Sequence, residues 1–206
     1  MRRRAGQVDQ TRQRIVEATV ELHGSVGPAA TTIAAIADRA GVTRLTVYRH
    51  FPDQTALFSA CSAHWASRQQ LPDPAAWSQI DDPAARLRAG LADLYRFYRA
   101  GAGMLTHIHR DLAALPEAHQ QALRDGDTLA RDVLTAPFDH AGEERRRLRA
   151  VTGHAISFWT WRSLCLDHGL TDAEAVDAMT GMVLAITPVP QAERGRTRSA
   201  AAGTAA

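Results

Sequence analysis

The stretch from Thr31 to Phe51 restricts the fold more than any other: two short helical patterns flank a single glycine, Gly41. Apolar Ile33, Ile36 and Ala37 recur at helical spacing up to Ala40, and Val42 and Val47 resume the pattern after the glycine. Two short helices that cross steeply must approach closely, which favours a small residue such as Ala37, and the turn between them needs a residue tolerant of positive φ, which Gly41 supplies. Thr31 or Thr32 opens the first of these helices and Thr43 the second, both with cap-type hydroxyls. Phe51-Pro52 ends the pattern, and Asp53 caps a further helix. A preceding helix over Asp9 to Gly24, with Ile15, Ala18 and Leu22 on one face, completes three helices by Phe51.

The rest of the chain keeps the same period. No run alternates with period two, so the fold class is all-α: an N-terminal three-helix helix-turn-helix module followed by a larger helical domain. A fourth helix is expected from Asp53 or Gln54 to Gln70, before the Leu71-Pro72-Asp73-Pro74 break. Further helices are expected over Pro83 to Ala100, Met104 to Leu112, Glu117 to Leu134, Glu143 to His168 and Asp172 to Thr187. Thr171 and Glu174 form a capping box for the last. The domains read as residues 1–53, 54–187 and a tail, 188–206, without periodicity and expected to be disordered.

Composition narrows the class. With 206 residues, 45% of them hydrophobic, the chain can bury a genuine core. No apolar run is long enough to span a bilayer, and Met1 to Arg4 leads into polar sequence, so a soluble, cytoplasmic protein is expected. Cys61 and Cys165 lack the paired spacing of a zinc site and read as reduced, buried thiols; neither metal nor other cofactor is expected. Charge is uneven: residues 1–60 carry 8 Arg against 5 acids, residues 61–187 carry 13 Arg against 16. That asymmetry suits an anion-binding N-terminus. Met1-Arg2-Arg3-Arg4 reads as a basic arm, either set in a minor groove or merely solubilising.

The second helix of the pair exposes Thr43, Arg44 and Thr46 at its N-terminus, away from Val42 and Val47, where a DNA major groove can be read. Arg44 suits a bidentate contact to guanine, and the threonines a base edge, a thymine methyl or a phosphate. Tyr48 and His50 lie farther along, toward phosphates, and the amide-rich helix start at Thr32 can bind one too.

Ile15, Ala18, Leu22, Gly27, Thr32, Ile36-Ala37, Ala40-Gly41-Val42, Tyr48, His50-Phe51 and Leu57 fall in the register of the TetR-family N-terminal signature, which this quarter of the chain resembles. One position departs: Gln54 stands where the family often has lysine, and Arg49 is the candidate to replace its phosphate contact. The resemblance implies a transcription repressor that binds a palindromic operator on double-stranded DNA as a homodimer and is released by a small-molecule effector. It also implies that the C-terminal helical domain is the effector-binding and dimerisation domain.

For the dimer interface, Glu143 to His168 carries apolar residues around most of its circumference, and Asp172 to Thr187 presents Ala173, Val176, Met179, Met182, Val183 and Ile186. Candidate effector contacts are Tyr95, Tyr98, Met104, His107, Phe158, Trp161 and Cys165, an aromatic set that suits a largely apolar, planar compound. The string His107, His109, Asp111 does not make a metal site, because the two histidines point apart on a helix. Cys165 and His168 are one turn apart, but no oxyanion-hole motif accompanies them, so no enzyme is expected. The alternatives are a ligand-independent or activating DNA-binding regulator, or a helical ligand-binding or catalytic protein whose N-terminal module is only a scaffold.

Overall fold

The computed structural model describes residues 2–186, and over them the regular secondary structure is helical. Its helices are α1 (Arg2–Ser25), α2 (Ile33–Ala40), α3 (Arg44–His50), α4 (Gln54–Ala66), α5 (Pro74–Ser78), α6 (Pro83–Ala100), α7 (Ala102–Arg110), α8 (Glu117–Thr135), α9 (Gly142–Ala155), α10 (Phe158–Arg162) and α11 (Asp172–Ala185). The tail from 188 onward lies outside the described residues. Of the basic arm, residues 2–4 continue α1 in backbone conformation, so the first helix starts well before Asp9.

Two cores organise these elements. In the first, α1 lies across α2 and α4, burying Ile15, Ile36, Val47, Phe51, Leu57 and Phe58 around its inner stripe. Leu115, from the connection between α7 and α8, enters the same core. The second core surrounds α6, whose Leu87, Leu91, Leu94, Tyr95 and Tyr98 are buried among Leu134 of α8, Leu148 of α9, Trp161 of α10 and Val183 of α11. Asp82 starts α6 by accepting the Ala85 N–H at 2.7 Å, with Pro83 at the first helical position where no donor is needed. Thr171 and Glu174 form the expected capping box at α11, with reciprocal bonds of 3.2 and 2.8 Å.

Three elements differ from the periodicity. The fourth helix stops at Ala66 rather than Gln70, where the Ser67 hydroxyl donates to the His64 carbonyl at 2.9 Å and competes with helical bonding. After the Pro72 break a short helix, α5, forms that the hydrophobic pattern is too brief to announce. Asp73 caps it, accepting from the Ala75 and Ala76 amides, and it delivers Trp77 into the core with its indole N–H donating to Asp93 at 3.0 Å.

The long helix expected over Glu143 to His168 is instead three pieces: α9, α10 and a π turn over Ser163–Asp167. At the first break Ser157 is extended (φ −65°, ψ 133°). The Tyr95 hydroxyl donates to the Ala155 carbonyl and the Tyr98 hydroxyl to the Ile156 carbonyl, each at 2.7 Å. Tertiary donors on α6 thus engage carbonyls at the helix end, where four are left without intrahelical partners. Because the segment bends, Phe158, Trp161 and Cys165 turn into the chain's own core rather than forming the second face of a straight helix. Trp159 and Leu166 remain exposed.

Candidate nucleic-acid interface and effector cavity

The candidate DNA-facing surface is built by caps and one turn. Thr32 accepts the Ala35 N–H at 3.1 Å to open α2, Gly41 closes it in the left-handed region (φ 64°, ψ 43°), and Thr43 accepts the Thr46 N–H at 3.2 Å to open α3. A residue with a Cβ at Gly41 would be strained there. Val47 is fully buried and Ala37 nearly so, which fixes the rotation of α3 on α2.

That rotation decides which side chains face outward. At about 100° per residue, Arg44, Leu45, Tyr48 and Arg49 fill one continuous arc of α3, opposite Val47, and all four are exposed. Thr46 and His50 lie at its edge and are half-buried, and the Thr46 hydroxyl is 2.9 Å from that of Thr43. Thr32 and Thr43 are exposed, although each hydroxyl already serves its own helix. Sequence reading passed over Leu45, which is 76% exposed at the middle of the arc. The signal was present: Leu45 is apolar at a position where the register of Val42 and Val47 points outward. Behind the arc, the Arg12 guanidinium sits 4.8 Å from the Phe51 ring centroid, and Arg39 pairs with Glu21 at 2.8 Å, tying α1 to the end of α3 and to α2.

A cavity of about 640 Å³ lies where the two cores meet. Its walls come from α1 (Val20, His23), α4 (Phe58, Cys61, Trp65), α6 (Leu94, Phe97, Tyr98), α7 (Met104, Leu105, Ile108, His109) and α8 (Leu123, Asp127, Leu129), with Trp77 behind. Its size and apolar aromatic walls are those of a small-molecule site. Of the seven candidates drawn from sequence, Tyr98 and Met104 line it. Tyr95, Phe158, Trp161 and Cys165 are core residues that do not line it, and His107 is not in its wall. The indole N–H of Trp161 donates to Asp172 at 2.9 Å, and Arg99 grips the same carboxylate with two bonds of 2.7 Å. Those four therefore hold α6, α10 and α11 together.

The histidines in the wall are neutral at pH 7. Burial drives His23 down to about 4 against a small upward pull from Asp111, and burial lowers His109 and His119 as well. His109 stacks flat on Phe158 at 4.8 Å between centroids. Burial pushes the Cys61 thiol up to about 12, so it is no ready nucleophile; its sulfur lies 3.6 Å from His23 Nδ1. Among the described residues no group of three or more His, Cys, Asp or Glu is placed to hold a metal ion, and no helix is long and apolar enough to cross a membrane.

A helix-turn-helix with an exposed basic and aromatic face, followed by a helical body enclosing a cavity, defines a DNA-binding transcription regulator. Residues 15–61, the helix-turn-helix module and the start of α4, match the family described as bacterial regulatory proteins, tetR family. No curated protein matches it. Among solved structures the fold is similar to one described as a putative fatty acid metabolism regulator of Clostridium perfringens, at 15% identity and TM-score 0.57 over 85% of this chain and 99% of that one. A TetR transcription regulator from Haloarcula marismortui shares 22% identity, with TM-score 0.53 over 87% of this chain and 96% of that one. PfmR, a TetR family transcriptional regulator from Thermus thermophilus, shares 18%, with TM-score 0.56 over 84% and 97%. At these identities the likeness is one of fold.

Proposed function

We propose that the protein is a ligand-responsive repressor, acting in the cytoplasm, that binds a palindromic operator as a homodimer and lets go when a small molecule fills the cavity. The observation that carries this reading is the shared wall. Phe58 and Cys61 of α4 belong to the DNA-binding core, His23 of α1 is buried against the Phe58 ring, and all three line the cavity, so an occupant that moves α4 moves the frame on which α3 sits. Arg44 and Leu45 read the groove, with Tyr48 and Arg49 on phosphates; Arg49 stands in for the missing lysine at Gln54. Thr32, Thr43, Thr46 and His50 flank this arc and supply the remaining backbone contacts.

Dimerisation is proposed through α11 and the turn beyond α10. Ala178, Gly181 and Ala185 give α11 an exposed strip of small residues, a Cβ at Gly181 would meet nothing within 4 Å, and Trp159 and Leu166 add exposed apolar surface nearby in sequence. Two copies place two α3 helices on one face of DNA, about one helical turn apart.

A thermal-shift screen of small apolar compounds, followed by operator-binding titrations on those that stabilise the protein, tests the reading. Stabilising compounds should weaken operator binding, and operator should weaken their binding by the same factor. Compounds that bind in the cavity and leave operator affinity unchanged would contradict it.

A further inference from the structure

The cavity's electrostatics select the charge of its occupant, an inference that rests on the effector reading of the cavity. Among the described residues Asp127 is the only carboxylate in the wall, and no arginine lines it. The remaining ionisable wall groups are the thiol of Cys61, the hydroxyl of Tyr98 and three imidazoles, His23, His109 and His119, and none carries charge at neutral pH. Asp127 forms no hydrogen bond or ion pair with the described residues. Its apolar surroundings hold its carboxyl above the ordinary range, while Arg131 one turn on pulls it back down.

Position matters as much as charge. Asp127 is exposed, and so are Leu129 beside it and Leu71 in the loop before α5, and all three line the same cavity. The carboxylate therefore stands at the mouth, while the interior presents Trp65, Trp77, Phe97 and Tyr98. A buried carboxylate or phosphate on a ligand would meet no counter-charge and would add repulsion from Asp127. An ammonium at the mouth keeps part of its hydration, pairs with Asp127 and lies near aromatic faces, while an apolar body fills the interior. We propose that the cavity takes an amphiphilic monocation, an apolar amine or quaternary ammonium compound, with its charge at Asp127 and its apolar body against Trp65 and Trp77.

The test uses the full-length protein and three probes matched in chain length: decyltrimethylammonium, decanol and decanoate, each below its micelle concentration. Quenching of tryptophan fluorescence and calorimetry give the affinities, and operator-bound anisotropy reports release. The expected order is the ammonium tightest, about tenfold over the alcohol, with decanoate weakest, and Asp127→Asn should remove that preference while leaving decanol unchanged. Decanoate binding as tightly as the ammonium, or an unaltered order in Asp127→Asn, overturns the charge assignment. Binding of the ammonium without release of operator leaves that assignment standing and overturns the effector reading. Failure of all three probes to bind overturns both.

Discussion

Asp111, just past the end of α7, accepts the backbone N–H of Ala29 at 3.1 Å, and its neighbour Arg110 donates to the Val26 carbonyl at 2.9 Å while pairing with Asp111. The two residues clasp the turn that joins α1 to α2. Arg110's hydrogen bonds hold the Asp111 carboxyl below its ordinary range, so the clasp keeps its charge at neutral pH. α7 also carries Met104, Ile108 and His109 into the cavity wall. One short helix thus touches the cavity along one side and the DNA-binding module at its end. Replacing Asp111 with Asn should leave folding and operator binding largely intact but weaken the coupling between ligand and DNA, which for such systems is about 1–3 kcal/mol. A coupling factor equal to that of the parent, measured by operator titration with and without saturating ligand, would rule α7 out as the link.

Gly27 makes the clasp possible. Its φ of 94° is one that side chains rarely adopt, and a Cβ there would lie 2.3 Å from an Arg110 nitrogen and 2.4 Å from an Asp111 oxygen. Gly27→Ala should cost about 1–3 kcal/mol of stability from backbone strain, with further loss as the clasp is pushed open. Denaturant unfolding of the two proteins checks this; an unchanged midpoint would show that the turn relaxes at no cost.

His23 makes stability depend on pH in a defined direction. Burial lowers its folded-state pKa from 6.5 to about 4, so below 6.5 the unfolded chain takes up a proton that the native state refuses. Stability is complete above pH 6.5 and is lost as the pH falls. From pH 7 to pH 5 this single group should remove about 2 kcal/mol, before carboxylates contribute much. His109 and His119 shift in the same direction and steepen the slope. Unfolding curves of His23→Gln at the two pH values should show a smaller loss than the parent; parallel losses would mean that His23 is protonated in the native protein.

Leu45 should read a thymine methyl group, the one apolar feature of the major groove. Replacing thymine by deoxyuracil, base by base across a half-site, should weaken binding at one or two positions by about 1 kcal/mol, and Leu45→Ala should erase that sensitivity. Uniform insensitivity to the methyl groups in the parent protein would remove Leu45 from base recognition.

Sequence alone showed the DNA-binding module well, because its determinants are local: Thr32 and Thr43 cap the helices they precede, Gly41 turns, and Val47 repeats the apolar period. The cavity was less legible. Tyr98 and Met104, both candidates from sequence, line it, but His23 comes from α1, which motif assigns to the DNA-binding module, and Phe58, Cys61 and Trp65 come from α4, the helix that connects that module to the rest. Only the packing of α1 against α7 shows that the same residues also wall a cavity. Trp161 and Phe158 lie in the core rather than in the cavity wall for a related reason. A straight helix over Glu143 to His168 would leave them a second face, and the break that buries them is held by Tyr95 and Tyr98, distant in sequence. Ser157, a cap-type residue inside that pattern, was the available signal.

Selection of bound duplexes from a random library at near-physiological salt, with parent protein and an Arg44→Ala, Tyr48→Ala variant side by side, tests the central claim most directly. The parent should enrich a palindrome with half-sites about one DNA turn apart, and the variant should enrich none. Binding that is salt-sensitive but indifferent to sequence, or the same palindrome recovered by the variant, would contradict recognition through α3.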